Sequence, residues 1–553
     1  MGKAKLNKKL TSLILILALV ATIIPTSVYG NLLVSKNTKT LKTAKAVRMA
    51  AVDSAAGGSE AADEAYISKL AIISKNGTVW GEGIETGTPK FDENDERGND
   101  SSKSNDRVRS YDSITYNVAT EIQSRNNKTF AEGRVGYKVT VDDDDEIQLG
   151  ISSMGWVEDL ETKKENGKKI DTEGELYYRG VKVSDFIKGH DPKNRFLFEE
   201  VCFLILFGYL PNKDELDAFK KELASRYDLP LNYLQARILG FPMQNMMNKL
   251  QQEVLMLYTY DENPDDISPE ATLNKGLDLI AKIPEIVCYA YRTKVHYFDS
   301  DSLFIHPVNT EYSIAENILQ MLRIDRSFTK IEASVLDMCL VLHADHGGGN
   351  NSTFTNVVMS STGTDIYSCF AGAIGSLKGP KHGGANLAVA KQMELVIDKV
   401  GLNATDEQLK QVIKDILDKK FNDQSGLIYG IGHAVYTLSD PRCQILSKQC
   451  KQLAIEKNRL KEYELYHRFE ELAVAEIKAR KGINVCANID FYSGLVYDML
   501  GLSKDLYTLM FVIGRSVGWV AHNIENKLYS GKIIRPAGKY VGEKKEYIKM
   551  ENR

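Results

Sequence analysis

Four histidines with glycine neighbours are the residues of this sequence best suited to chemistry. His343 and His346 stand in LHADHGGG, His382 in GPKHGGAN and His433 in GIGHAV. Glycine lets a backbone approach a ligand closely, and polar side chains on loops held by a rigid scaffold commonly carry function. The His-x-x-His spacing of the first pair could also ligate a metal, but no third ligand stands at a useful spacing, so no metal site is predicted.

Three arginines and one aspartate could complete such a site. Arg442 follows an Asp-Pro pair, Arg535 precedes a proline, and Arg515 interrupts an apolar stretch. A partly buried guanidinium needs an anionic partner and suits a carboxylate. Asp490 stands where a helical pattern begins, and a helix N-terminus stabilises a carboxylate as the anion. Each residue alone could be an ordinary surface or capping residue. Together they predict a small polycarboxylate substrate and proton abstraction beside a carbonyl, hence carbon–carbon bond chemistry through an enol.

The elements that must position these residues are helical. Apolar residues recur at helical spacing from Phe198 to Leu206, and Gly208 ends the run. Asn212 then caps a second helix, with Glu215 three residues later. Further helical patterns cover residues 313–323, 331–343, 386–400, 444–479 and 505–528. The sequence therefore predicts a mainly α body without internal repeats, large enough for a deep cleft.

The first 163 residues have a different character. A lysine-rich start and the apolar run Leu13–Ile24, followed by small residues, are typical of a secretory signal peptide, which is predicted for residues 1–30. Residues 31–163 contain short stretches that alternate polar with β-branched or aromatic residues, and they predict a small β-rich, partly disordered segment of unknown role. The catalytic body is then expected to occupy residues 164–553.

Composition limits the partners and the compartment. The 553 residues carry a net charge of −4, which gives no general attraction to nucleic acid. Apolar residues make up 43% and charged residues 26%, which excludes a disordered chain, a coiled coil and a collagen. The seven cysteines form no CxxC motif and their number is odd, which is typical of a reducing compartment. We expect the catalytic body in the cytoplasm, whereas the N-terminal segment predicts export or membrane targeting and is the only expected membrane contact.

Four motifs, in this order, resemble the citrate synthase family: LHADHGGGNNST, SLKGPKHGGAN, GIGHAVYTLSDPR and NIDFYSG. The resemblance covers about residues 174–535 and does not reach residues 1–160. It implies a large helical domain, a small helical subdomain at roughly 384–490, and a homodimer. It also implies an acyltransferase that condenses acetyl-CoA with oxaloacetate and water to give citrate and CoA. Acetyl-CoA is then a co-substrate, and no cofactor is bound permanently.

The same resemblance implies a role for each site residue. Asp490 would take a methyl proton from acetyl-CoA, His382 would donate a hydrogen bond to the thioester oxygen, and His433 would polarise the ketone of oxaloacetate. The side chains that would hold carboxylates are His346, Arg442, Arg515 and Arg535. In the family, the last of these arginines reaches in from the partner subunit. The loop that would lie against the adenine of CoA consists of Leu427, Ile428, Tyr429, Gly430, Ile431 and Gly432.

Two departures from the family pattern stand out. Lys381 stands beside His382 where many members carry an apolar residue, and the family's own N-terminal helical segment is not evident upstream of Lys164. Either the upstream segment is a true fusion to the enzyme, or the reading frame joins two genes. The motifs also leave two other functions open. One alternative is a 2-methylcitrate synthase that uses propionyl-CoA, because an apolar pocket discriminates one methylene by only about 1–3 kcal/mol. Another is an exported surface or binding protein with a non-catalytic citrate-synthase-like domain.

Overall fold

A computed structural model describes the helical body and several short strands upstream of it. The described residues are 72–73, 79–80, 136–142, 145–151, 155–158, 171, 173–189, 195–529, 533–534 and 545–553. Residues 1–30, the predicted signal peptide, lie outside them, and so do most of residues 31–163. Arg535, one of the predicted carboxylate-binding residues, also lies outside the described residues.

The chain divides into two units, Met1–Gly83 and Ile84–Arg553. In the first unit, β1 (Ile72–Ile73) and β2 (Val79–Trp80) pair antiparallel. The strands of the second unit are β3 (Gly136–Asp142), β4 (Asp145–Ile151), β5 (Gly155–Glu158), β6 (Glu175–Tyr178) and β7 (Val181–Lys182). There β3 pairs with β4, and β5, β6 and β7 form an antiparallel sheet in chain order.

The β5–β6–β7 sheet crosses the boundary that the sequence predicts between the upstream segment and the body. Strand β5 precedes residue 163, whereas β6 and β7 follow it, and Val157 pairs with Leu176. The body's first sheet therefore begins upstream of residue 164. Because most of residues 31–163 lie outside the described residues, the small β-rich segment itself stays a prediction.

Helices form most of the described body, which confirms the predicted mainly α class. The first eight are α1 (Val183–Lys188), α2 (Phe198–Phe207), α3 (Lys213–Ala224), α4 (Met246–Leu257), α5 (Pro269–Asp299), α6 (Ile314–Leu322), α7 (Lys330–His343) and α8 (Asn351–Ser360). The next seven are α9 (Ile366–Leu377), α10 (Ala385–Val400), α11 (Asp406–Leu417), α12 (Pro441–Glu456), α13 (Leu460–Lys481), α14 (Asp490–Met499) and α15 (Tyr507–Tyr529). Short turns of π- or 3₁₀-helix cover Leu234–Leu239, Tyr258–Tyr260, Lys504–Leu506 and Met550–Asn552. Within the described ranges, no helix combines the length and the apolar character that crossing a bilayer requires.

Several helix ends lie where the sequence predicts them. Gly208 ends α2 in the left-handed conformation, with φ of 86°, and its N–H bonds to Leu204 O. Asn212 and Glu215 form the predicted capping box at the start of α3. Every residue of α2 is buried, and α15 packs against α2, α5, α7 and α8. Helix α15 thus runs through the core, where it can present side chains to the site.

Two predictions of local structure are wrong. The pattern over residues 444–479 is not one helix but α12 followed by α13, because the chain turns where Asn458 takes a left-handed φ of 56°. His343 does not lie in a glycine-flanked loop, as we expected for all four histidines, but is the last residue of α7. Helices α10 to α13 fall within the small subdomain expected at 384–490, where α11 packs on α13. The bounds of that subdomain stay a prediction.

Candidate active site

His346 and His433 lie close together, as a shared site requires. His346 follows the end of α7, and His433 lies in the loop before α12. Their ring centroids are 5.1 Å apart, and Tyr436 stacks on His433 at 4.7 Å. Burial lowers the pKa of His433 to about 4, and the charge of Arg442 acts in the same direction. Burial, with the charges of Arg442 and Arg515, also holds the pKa of His346 well below its ordinary value. Both imidazoles are therefore neutral at pH 7.

The hydrogen bonds of His433 fix which ring nitrogen carries its proton. Nδ1 accepts hydrogen bonds from the backbone N–H groups of Val435 and Tyr436, both at 3.0 Å. The neutral ring must then carry its proton on Nε2. This nitrogen lies 3.3 Å from Nη2 of Arg442, which is also a donor. Two donors that converge in this way suit an oxygen of a bound carbonyl or carboxylate.

Arg442 is held by a carboxylate of its own chain. Asp440 caps α12 and accepts hydrogen bonds from Nε and Nη2 of Arg442, at 3.0 and 2.7 Å. Burial would lower the pKa of Arg442, but Asp440 raises it above the ordinary value. The anionic partner that the sequence assigned to a substrate is therefore supplied in part by Asp440, which the sequence analysis did not single out.

Arg515 is buried in α15 and still has an unused donor. Its Nε donates a hydrogen bond to His343 O at 2.6 Å. Among the described residues, Nη1 is buried without a hydrogen-bond partner, and so is Nε2 of His346. Burial, together with the charge of Arg442, lowers the pKa of Arg515, while Asp345 opposes that shift. Two buried guanidinium groups that repel each other favour an anion between them.

Behind these residues lies a buried ion pair that the sequence analysis missed. Oδ1 of Asp345 lies 3.0 Å from Nε2 of His522, and Oδ2 accepts a hydrogen bond from the N–H of Gly347 at 3.0 Å. Two signals could have indicated it. Asp345 stands between the two histidines of LHADHGGG, and His522 follows Arg515 by seven residues, which places both on one face of a helix.

His382 lies in the loop between α9 and α10. Its Nε2 accepts a hydrogen bond from the N–H of Ser352 at 3.3 Å, so the neutral ring carries its proton on Nδ1. Burial lowers its pKa to about 4, and Arg515 contributes in the same direction. A Cβ added to Gly383 would lie 2.4 Å from Leu377 O, so only glycine fits beside this histidine. His382 is therefore a neutral imidazole whose Nδ1–H makes no hydrogen bond to the part of the chain that the structure describes.

Asp490 is the first residue of α14, as the sequence predicts, but the expected stabilisation of its anion is outweighed. Its Oδ1 is buried and has no hydrogen-bond partner among the described residues. Burial raises its pKa to about 7, with Asp440 acting in the same direction and Arg442 and Arg515 opposing. Desolvation therefore exceeds the effect of the helix N-terminus. A carboxyl group with a pKa close to working pH is suited to general-base catalysis.

The loop at residues 427–432 is tied to the segment that leads into Asp490. Gly430 O accepts a hydrogen bond from Asn488 N at 2.9 Å, and Gly432 N donates one to Cys486 O at 2.7 Å. Gly430 has a φ of 81°, and a Cβ there would lie 2.8 Å from the ring of Phe491. The loop therefore packs directly against the beginning of α14.

A further contact that the sequence did not indicate joins the stretch before β6 to the histidine loop. Ser439 Oγ accepts a hydrogen bond from Gly174 N at 3.2 Å and donates one to the carboxylate of Glu173. Tyr436 OH donates one to Glu175 O at 3.3 Å. These bonds hold the loop between His433 and α12 from the side of the sheet.

The structure thus brings most of the predicted site residues together. Charge effects and contacts link His346, His382, His433, Arg442, Arg515 and Asp490. Arg535 lies outside the described residues; Ile534 N, one residue earlier, donates a hydrogen bond to Ser361 Oγ at 3.1 Å. Lys381 is exposed. Within the described residues, no group of His, Cys, Asp and Glu side chains is placed to hold a metal ion.

Most of the helical body matches a known family. Residues 157–537 match the family described as Citrate synthase, C-terminal domain. The chain belongs to the citrate synthase family. Curated relatives include the citrate synthase of Haloferax volcanii, 36% identical over 67% of this chain and 90% of the relative. Citrate synthase 2 of Bacillus subtilis is 34% identical over 68% and 93%, and the 2-methylcitrate synthase of Shewanella oneidensis is 32% identical over 68% and 92%.

Solved citrate synthases share the fold. The Pyrobaculum aerophilum citrate synthase superposes with a TM-score of 0.61 at 26% identity and covers 77% of this chain and 100% of its own. The Thermoplasma acidophilum enzyme, in a ternary complex with carboxymethyl coenzyme A and oxaloacetate, gives a TM-score of 0.58 at 26% identity and covers 68% of this chain and 93% of its own. The predicted family and acyltransferase class are confirmed. Residues 60–190 also match the family described as Uncharacterised plasmid protein pXO2-29, N-terminal domain.

Proposed function

We propose that this chain is a citrate synthase that condenses acetyl-CoA with oxaloacetate and water to give citrate and CoA. One observation carries the proposal: neutral imidazole donors and buried guanidinium groups converge near a buried carboxyl group whose pKa is about 7. The donors suit a keto dicarboxylate, and the carboxyl group suits the removal of a weakly acidic proton from a neighbouring thioester.

Oxaloacetate would bind on the side of the two arginines. Nε2–H of His433 points to the oxygen position that it shares with Nη2 of Arg442 and would polarise the ketone there. The unpartnered Nη1 of Arg515 and Nε2 of His346 are placed to hold carboxylate oxygens. The ketone carbon is thereby made electrophilic and is held still.

Acetyl-CoA would react from the side of Asp490. The carboxylate takes a methyl proton, while Nδ1–H of His382 donates a hydrogen bond to the thioester oxygen on which negative charge develops. The enol carbon then bonds to the ketone carbon. His433 stabilises the resulting alkoxide and can supply the proton it takes up. Water finally cleaves the thioester and releases CoA. We assign the loop at 427–432 to the adenine of CoA because it packs against the helix that carries Asp490.

A homodimer is part of the proposal. A groove of about 600 Å³ lies between α4 and the start of α9, and Leu255 at its edge is 46% exposed. A second copy of the chain would cover this apolar surface. The hydrogen bond from Ile534 N to Ser361 Oγ fixes the backbone one residue before Arg535, which we assign to the partner's site from the family resemblance. Mixing Arg535→Leu with Asp490→Asn chains should restore partial activity, and no recovery in verified mixed dimers would contradict this role.

We also propose that the catalytic body works in the cytoplasm, with any membrane contact limited to the N-terminal segment. All seven cysteines are buried as free thiols, which fits a reducing compartment. Cell fractionation with an antibody against the C-terminal domain tests this location, and a shortened chain recovered outside the membrane would contradict it.

Release of free thiol from acetyl-CoA tests the proposed reaction. Purified protein should release free thiol from acetyl-CoA only when oxaloacetate is present, and Asp490→Asn should not. A folded protein that binds both substrates without such release would favour the non-catalytic alternative. The 2-methylcitrate synthase relative, at 32% identity, favours propionyl-CoA as the second candidate substrate. The ratio of kcat/KM for the two thioesters separates these activities, and we expect acetyl-CoA to be preferred.

A further inference from the structure

One face of helix α15 contacts residues 343–345, just before His346, at three points. Nε of Arg515 bonds to His343 O at 2.6 Å. One turn later, a Cβ on Gly518 would lie 2.5 Å from Ala344 O, so the two backbones touch. One turn further on, His522 pairs with Asp345 at 3.0 Å. The spacing of three, then four residues places all three contacts on the same side of the helix.

The two cations on this face of α15, Arg515 and His522, both act on the carboxylate of Asp345. Asp345 is fully buried and lies between two cations of α15, since both His522 and Arg515 hold its pKa down although burial would raise it. Arg515 in turn has one buried donor, Nη1, without a partner among the described residues. The carboxylate of Asp345 and a substrate carboxylate therefore compete for the same guanidinium group.

We infer that His522 is a positioning residue for the oxaloacetate site, whose protonated ring holds Asp345 so that Arg515 stays available to a substrate carboxylate. The inference rests on the proposed binding of oxaloacetate here. When His522 is neutral, the charge of Asp345 is uncompensated on that side and draws Arg515 away from the substrate. His522 itself does not touch the substrate.

The surroundings of His522 set the direction of the pH effect. Asp345 faces its Nε2, Glu525 lies 3.8 Å from its Nδ1 on the same helix, and Arg179 acts on it from the turn between β6 and β7. Burial would lower the pKa of His522, but the two carboxylates outweigh it and raise the pKa above 6.5. The ring is therefore protonated at pH 6 and loses its proton as the pH rises through the raised pKa. Oxaloacetate affinity should fall over the same range.

Calorimetric titration of oxaloacetate into wild type and His522→Gln at pH 6 and pH 9 tests the inference. Glutamine can keep the hydrogen bond to Asp345 but carries no charge. We expect the dissociation constant of the variant to be about tenfold higher at pH 6, a coupling typical of neighbours in one network. At pH 9 the ratio should be smaller, because wild-type His522 loses its proton as the pH rises through its raised pKa. Because Asp490 titrates in both proteins, it cancels in this ratio. His296→Gln, an exposed histidine on α5, is the matched control and should bind like wild type.

Each outcome decides a separate point. Equal binding by wild type and His522→Gln at pH 6, or the same ratio at both pH values, would overturn the inference alone. Failure of wild type to bind oxaloacetate would overturn the proposed function, and the inference with it. If His522→Gln does not fold, Asp345→Asn can be compared with the double variant Asp345→Asn/His522→Gln. Both lack the buried carboxylate whose charge the protonated His522 compensates. These two should differ less than twofold at pH 6, and a tenfold difference would contradict the inference.

Discussion

Desolvation of a few side chains governs the site at the scale of single residues. Asp490 has a raised pKa and His382 a lowered one for the same reason, because burial disfavours the charged form of each. His382 is therefore a neutral hydrogen-bond donor, whereas Asp490 ionises close to neutral pH and its carboxylate is then a stronger base than an ordinary aspartate. This arrangement suits the formation of an enol, in which charge moves from the base towards the thioester oxygen.

Removing the base or the donor should abolish condensation and leave oxaloacetate binding nearly intact. Asp490→Asn and His382→Ala should each lower kcat about 10²–10⁴-fold, the usual contribution of a positioned acid or base. Neither residue is assigned to the dicarboxylate, so the dissociation constant for oxaloacetate measures that part. Asp498→Asn, at the exposed end of the same helix, is the control. Retention of more than about a tenth of wild-type kcat would contradict the assignment.

The rate should depend on pH through Asp490. The base must be unprotonated, so kcat/KM for acetyl-CoA should fall as the pH drops below about 7. His382 and His433 stay neutral down to about pH 4 and should add no second loss above that value. Because the folded pKa of Asp490 is raised, its ionisation costs stability above its unfolded value, so Asp490→Asn should raise the melting temperature more at pH 8 than at pH 5. A flat profile between pH 6 and 8 would contradict this.

The two arginines should respond differently to truncation. Arg515→Leu should raise the oxaloacetate KM strongly, since breaking a desolvated charge pair costs about 2–5 kcal/mol, with a smaller effect on acetyl-CoA. Arg442→Leu should do the same and also lower the melting temperature, because it leaves Asp440 buried without a cation. Exposed Arg480→Leu on α13 should change neither KM. Equal loss of affinity for both substrates would indicate misfolding instead.

The site residues could be predicted from the sequence only where residue type and motif suffice. His433 and Asp490 are named by their motifs, and the structure places both near the arginines. Asp345 was not predicted, because its role depends on α15, which is distant in sequence and places His522 beside it. Asp440 was not predicted, because the burial of its pair with Arg442 is a property of the packed structure. The raised pKa of Asp490 was missed for the same reason, because desolvation is a property of the packed core.

At the scale of elements, the position of β5 changes where the body begins. A fragment of residues 153–553 retains all three strands of the β5–β6–β7 sheet, whereas residues 164–553 lose β5 and its pairing with β6. We expect the longer fragment to turn over at a rate close to that of the full chain. The shorter fragment should melt at a lower temperature, because β6 loses its pairing with β5 and becomes an edge strand. This matters to the body because β6 carries Tyr178, whose OH donates a hydrogen bond to Val341 O in α7. Equal melting temperatures of the two fragments would contradict a role for β5.

Helix ends were easier to predict than helix breaks. The capping box of Asn212 and Glu215 is a local signal, and the structure confirms it. The break between α12 and α13 carries no proline or glycine, so the apolar pattern continues across it. Asn458 makes the turn possible because asparagine tolerates the left-handed conformation better than most residues.

At the scale of the whole molecule, two family matches overlap. The citrate synthase match begins at residue 157, and the match to the plasmid-protein N-terminal domain runs to residue 190. The β5–β6–β7 sheet, residues 155–182, lies almost entirely within this overlap. The sequence indicated an abrupt junction near 164, because composition changes there. Strand pairing crosses that point, and composition does not report pairing.

The pairing of loop 427–432 with residues 486–488 limits how this protein can vary over evolutionary time. Its main-chain hydrogen bonds, such as that from Asn488 N to Gly430 O, depend on register and not on side-chain identity, while Nδ2 of Asn488 adds a side-chain bond to Gly432 O at 2.8 Å. An exposed side chain such as that of Leu427 can therefore be exchanged, whereas Gly430 and Gly432 take left-handed φ values of 81° and 107° that other residues rarely adopt. A deletion in either segment would instead break this register, and a deletion within residues 486–488 would also shift the start of α14 by about 3.3 Å per residue, the rise of an extended chain. Functional relatives should differ here by substitution and not by gaps.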